Sequence, residues 1–128
     1  MSGFERCPCG LGEAFPDCCG RVISGEGRAG TAEQLMRSRF SAFAVGDVAY
    51  LLASWHPDTR PADVELDPEQ RWVQLEVLDR SGGGPFDSEG TVRFRAHYRL
   101  PGEKGTLTEN SRFKKEGGVW FYVDGEHE

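Results

Sequence analysis

The sequence predicts an α+β protein in which helices pack on a curved antiparallel sheet, preceded by a small cysteine-built knuckle. Three observations carry that expectation. All four cysteines fall between residues 7 and 19, in the pattern Cys7-x-Cys9-x8-Cys18-Cys19. Apolar residues between Thr31 and Trp55 recur at the helical period. From Arg71 onward the period changes to 2, and glycine-marked turns divide the remainder into strands.

The knuckle comes first. Zinc favours four thiolate or imidazole donors in a tetrahedron, and a closed set of four cysteines is structural because no coordination position is left open. Cys7 and Cys9 can share one ion only if the chain curls between them, which Pro8 and Gly10 allow. Cys18 and Cys19 are expected at a helix end, with Gly20 as the stop. Four thiolates on Zn²⁺ leave a formal excess of negative charge, which Arg6 and Arg21 flank. Two disulfides, a redox pair and another metal such as an iron–sulfur centre are the competing readings. No basic-then-apolar leader follows Met1-Ser2-Gly3, so a reducing cytoplasm is expected, which disfavours disulfides. A structural zinc contributes about 10–16 kcal/mol of apparent binding energy to the segment it folds. Residues 1–25 carry few apolar side chains, chiefly Phe4, Leu11, Phe15, Val22 and Ile23. Without metal this stretch is expected to be disordered.

With 128 residues, the chain suits one compact domain plus the knuckle. A net charge of −6 disfavours direct nucleic-acid binding, and no apolar run is long enough to span a membrane. The expected division is a knuckle over 1–23, a glycine-rich linker over 24–30 and an α+β body over 31–128.

Thr31 opens the first body helix, with Gln34 at capping-box spacing. Leu35, Met36, Phe40, Phe43 and Ala44 form its apolar stripe, while Glu33, Arg37, Ser38 and Ser41 lie elsewhere. Gly46 ends it. Asp47 caps a second helix carrying Val48, Leu51, Leu52 and Trp55, terminated by His56-Pro57. The acidic stretch Asp58 to Gln70 is a connection, and its alternating Asp63, Glu65, Asp67 and Glu69 suit a solvated edge. Val73, Leu75 and Val77 then alternate with Trp72, Gln74, Glu76 and Leu78. After Gly82-Gly83-Gly84-Pro85, a second strand puts Val92, Phe94, Ala96, Tyr98 and Leu100 on one face. Arg93, Arg95, His97 and Arg99 take the other. Pro101 to Gly105 leads into a third strand, and Gly117-Gly118 forms a tight turn into a fourth, Val119 to Asp124.

A functional pocket belongs on the sheet's inward face. With Leu107 and Phe113 in the core, period 2 sends Glu109 and Ser111 inward as well. A buried carboxylate needs a partner, for which Arg37 or Arg39 is the candidate. Trp55, Phe40, Tyr98, Trp120 and Tyr122 can line a cavity or simply fill the core. His56 is a candidate polar group, while His127 in the tail carries no signal. The candidate pocket is therefore Arg37, Arg39, Trp55, His56, Tyr98 and Glu109.

Cys7-Pro8-Cys9-Gly10 to Cys18-Cys19-Gly20 resembles the SEC-C metal motif of the bacterial translocase ATPase SecA. Residues 36–43, 54–57, 89–92, 109–113 and 120–125 resemble the YchJ family of bacterial proteins. This resemblance covers nearly the whole chain. It implies a nuclear-transport-factor-2-like cone of helices wrapped on a bent sheet, with zinc held by Cys7, Cys9, Cys18 and Cys19. At Thr108 the chain departs from relatives, which tend to carry histidine there. The resemblance supplies no reaction.

Two principal functions are expected. One is a protein-interaction or adaptor module, with the knuckle presented to a chaperone, translocation or ribosomal partner and any ribosomal contact depending on Arg6, Arg21 and Arg28. The other is a small-molecule carrier or enzyme using the cavity. A thiol redox sensor is the third.

Overall fold

The computed structural model of the chain describes residues 6–127. Met1-Ser2-Gly3 and Phe4 therefore lie outside the described residues. A single turn of 3-10 helix, Phe15–Asp17, leads into α1 (Cys19–Ser24), α2 (Ala32–Val45) and α3 (Val48–Ala53). Four strands follow: β1 (Arg71–Gly82), β2 (Glu89–Leu100), β3 (Glu103–Glu116) and β4 (Val119–His127). They pair antiparallel in the order β1-β2-β3-β4. Among the described residues no helix is long and apolar enough to cross a membrane.

The helix signals act where the sequence places them. The Thr31 side chain accepts from the Gln34 amide at 3.1 Å, and the Gln34 side chain reaches back to the Gly30 amide at 2.7 Å. Gly46 closes α2 with φ 81°, a left-handed conformation that glycine adopts without a Cβ penalty. Asp47 caps α3 through the Tyr50 amide. That helix ends at Ala53, before Trp55 and before His56-Pro57. Residues 54–56 instead pair with β4: Tyr122 N–H donates to Ser54 C=O, and His56 N–H donates to Tyr122 C=O.

α2 carries more burial than one apolar stripe explains. Leu35, Met36 and Phe40 join Leu75, Val92, Ala96, Phe113 and Trp120 in the core. Ser38 and Ser41, expected elsewhere, are fully buried as well. The reason is that α2 is covered from two sides. Ser38 meets Tyr50 Oη from α3, and Ser41 faces the knuckle. The end of the glycine-rich segment also lies against the body, with Ala29 packed on the core and Trp120 Nε1 donating to Gly30 C=O.

The β1 alternation breaks at Val73. Trp72 pairs with Tyr98 and Gln74 with His97, so Val73 is skipped by a bulge. Val73 is half exposed, while Trp72 packs toward the core. At the other edge Phe113 pairs with Tyr122 but Arg112 with Asp124, which leaves Val123 unpaired. A third shift skips Leu78 between Val77 and Asp79, and together the three irregularities set which side chains share a face.

Candidate functional site

Among the described residues two side-chain constellations stand out, one on each side of α2. The first is the cysteine cluster. Its loop is held by Cys7 N–H to Glu13 C=O at 2.7 Å and Gly10 N–H to Cys7 C=O at 3.2 Å. Gly10 and Gly12 both take φ near 90°, which lets the chain reverse between the cysteine pairs. Cys18 closes the Phe15–Asp17 turn and caps the start of α1, whose first residue is Cys19. Gly20 is accordingly inside the helix, where an added Cβ would lie 2.6 Å from the Phe15 carbonyl oxygen. Gly25, at φ 90°, is the stop.

This arrangement brings all four Sγ atoms within 4.8 Å of one another, with Cys9 and Cys18 Sγ 3.6 Å apart. A tetrahedron of sulfurs about 2.3 Å from one ion has edges of about 3.8 Å, so the donor set fits a single metal. All four are free thiols. Burial, first, and the Cys9 sulfur push the Cys18 thiol up to about 12. Cys19 is raised through its contacts with Cys7 and Cys9, then by burial. Four sulfurs this close cannot all be thiolates unless a cation joins them. Arg6 donates to the Gly12 carbonyl, and Arg37 Nη1 donates to the Cys9 carbonyl at 2.7 Å.

The second constellation is a cavity of about 390 Å³ beneath the opposite face of α2. Met36, Phe40, Phe43, Trp72, Phe94 and Phe113 make it mostly apolar, and Arg39, Trp55, Glu109, Ser111, Tyr122 and His127 supply its polar groups. Arg39 is 6% exposed and enters from α2 between two rings, 5.0 Å from the Trp55 centroid and 4.4 Å from that of Tyr122. Its Nη1 donates to Leu51 C=O and Ser54 Oγ. Its Nε and Nη2 have no hydrogen-bond partner among the described residues, and no carboxylate pairs with it. Desolvation brings the guanidinium down to about 10. Trp55 Nε1 is buried without a partner.

Glu109 is satisfied differently. Ser111 Oγ and Tyr122 Oη donate to its Oε2, and His127 Nε2 lies 2.8 Å from Oε1. Gly125 makes this possible, because any side chain there would collide with the carboxylate. Desolvation and the neighbouring Glu109 charge raise the Tyr122 phenol above its ordinary range.

The structure thus brings Arg39, Trp55 and Glu109 together and leaves three candidates outside the cavity lining. Arg37 points to the knuckle and to Glu33. His56 is buried, donating through Nε2 to Glu116 and accepting the Asp58 amide at Nδ1, which explains it structurally. Tyr98 packs beside Trp72, 5.2 Å between centroids, and fills the space left by Gly105. Trp120 is core. His97 is half-buried and paired with Glu76. The residue missed is His127. Counting back from the Gly117-Gly118 turn pairs Glu109 with Glu126, and only the Val123 bulge moves His127 opposite Glu109.

The family described as YchJ, middle NTF2-like domain, matches residues 31–125. The chain belongs to the YchJ family. Among similar YchJ-family proteins, a UPF0225 protein of Streptomyces coelicolor is 53% identical over 120 residues, covering 94% of each chain. One from Corynebacterium glutamicum is 50% identical over 122 residues, covering 95% of this chain and 97% of its own. The fold is also similar to a SEC-C motif containing protein from Rhodopseudomonas palustris. Their TM-score is 0.81 at 34% identity, with 94% of this chain and 96% of the other covered. A SEC-C motif containing protein from Psychrobacter arcticus has TM-score 0.79 at 25% identity, covering 96% and 82%.

Proposed function

We propose that the chain binds a small molecule in the cavity beneath α2, with an anionic or carbonyl group of the ligand seated on Arg39. The ion in the knuckle is a structural zinc. One observation carries the first statement: Arg39 is a buried guanidinium with two unused donor nitrogens inside a largely apolar space. Burying a cation without a carboxylate partner is costly, and a ligand acceptor would repair both the charge and the hydrogen bonding. The cavity volume lies in the range of small-molecule sites.

Zinc suits the knuckle because four sulfurs at tetrahedral spacing leave no open position. When bound, the ion supplies a cross-link and charge neutralisation. Cys7, Cys9, Cys18 and Cys19 hold it, and four free thiols fit a reducing cytoplasm. The adaptor role draws less support from the geometry, because Arg37 and Ser41 fasten the knuckle to α2.

A thermal-shift screen of apolar carboxylates and ketones, repeated on Arg39→Met, tests the cavity reading. Carboxylates are expected to stabilise the wild-type chain and to lose that effect in the variant. A panel that stabilises both equally would overturn it.

A further inference from the structure

Resting on the cavity reading, we propose that His127, held by Glu109, is a general base that moves a proton on a carbonyl compound whose oxygen sits on Arg39. The geometry that leads there is a single rung of the sheet. Val77, Phe94, Glu109 and His127 pair in succession across β1, β2, β3 and β4. The rung runs into the cavity that Arg39 enters from α2. Glu109 is 7% exposed, accepts from Ser111 and Tyr122 and has His127 Nε2 2.8 Å from its other oxygen, so it is not itself free to reach a ligand. What this buried acid accomplishes is orientation. Its Oε1 lies 2.8 Å from His127 Nε2, a contact that favours the Nε2–H tautomer and so leaves the lone pair on Nδ1 for a substrate. The His127 side chain is 65% exposed yet also lines the cavity, so the base stands where ligand and solvent meet.

The step balances without any added reagent. His127 Nδ1 takes a proton from the carbon next to the carbonyl. The C–H electron pair becomes the new carbon–carbon double bond, and the carbonyl π pair moves onto oxygen. Arg39 Nε and Nη2 are the donors for that oxyanion, and they act in a largely apolar space, which strengthens such donors. Imidazolium then returns the proton to the same carbon or to the far end of a conjugated ligand, so the outcome is exchange or isomerisation. Glu109 is a positioning residue. Ser111 and Tyr122 fix it from behind.

The test uses 4-phenylbutan-2-one, an apolar ketone, in D2O with the full zinc-loaded chain. Proton NMR follows loss of the signals next to the carbonyl, and the indole N–H of Trp55 reports binding. Wild type is expected to exchange roughly 100-fold faster than the same concentration of free imidazole. His127→Ala, at an exposed strand position, is expected to fold and bind while losing that rate, with added imidazole restoring part of it. Glu109→Gln is expected to lower kcat with KM unchanged. In ¹⁵N NMR it is also expected to lose the preference for the Nε2–H tautomer at His127. A ketone that shifts Trp55 N–H yet exchanges no faster than with imidazole overturns the proton transfer and leaves the cavity reading standing. If neither the ketone nor 4-phenylbutanoate shifts that signal, the cavity reading falls and takes this proposal with it.

Discussion

Ser41 Oγ lies 3.4 Å from Cys7 Sγ, and so ties the middle of α2 to the cysteine cluster. Two residues earlier on the same helix, Arg39 enters the cavity. One helix therefore contributes a side chain to the wall of the cysteine cluster and another to the lining of the cavity.

Removing the metal is expected to loosen residues 6–25 while β1–β4 stay folded. The sheet core contains none of the four cysteines. Amide exchange after chelation checks this, with fast exchange at Cys7 and Cys18 amides and continued protection at Val92 and Ser111. Ser41→Ala should retain the ion and leave the knuckle exchanging faster.

Metal affinity is expected to fall as pH is lowered. In the metal-free cluster, burial and the Cys9 sulfur keep the Cys18 proton on up to about pH 12, and Cys19 is raised as well. The ion must displace those protons, so acid competes with it. Calorimetric titration in two buffers of different ionisation enthalpy should show more than one proton released per ion. Release of none would contradict the thiolate assignment.

Arg39 is expected to cost stability in the ligand-free chain. Its guanidinium sits at about 10, below the ordinary 12.5, chiefly through desolvation. Below pH 10 both folded and unfolded states carry the charge, and the full penalty of roughly 3 kcal/mol applies. Between pH 10 and 12.5 the unfolded state binds more protons, so this group makes stability rise with pH there. Arg39→Met removes the penalty and loses two hydrogen bonds. Urea unfolding at neutral pH should find it no less stable than wild type.

Gly125→Ala is expected to cost about 1–3 kcal/mol, because the added methyl meets the Glu109 carboxylate against the backbone. The contact between Glu109 and His127 should be lost with it, visible as a shifted His127 ring resonance.

Val73 and Leu75 share one alternation in the sequence and should behave oppositely. Val73→Thr lies on the exposed bulge and should stay within about 0.5 kcal/mol of wild type. Leu75→Ala opens the core and should cost about 2–5 kcal/mol by thermal unfolding.

Much of the fold was legible because it rests on local signals. Thr31, Gly46 and Asp47 satisfy or end helix termini through neighbours within a few residues. Gly117 and Gly118 both take positive φ and so reverse the chain wherever they occur. The cysteine spacing announced a metal-ligand set for the same reason, since its four donors lie within thirteen residues.

The cavity was decided at longer range. Local spacing placed Glu109 inward, but the selection of Arg39 over Arg37 depended on which face of α2 the knuckle covered. His127 reached Glu109 only through a one-residue slip at Val123, and Trp72 turned inward only through one at Val73. A bulge reverses the facing of every residue beyond it, and its position is set by sheet twist and packing against α2, neither of which the residue pattern encodes locally. The sequence by itself determined the elements and the sulfur donors, while tertiary packing alone decided which charges share the buried space.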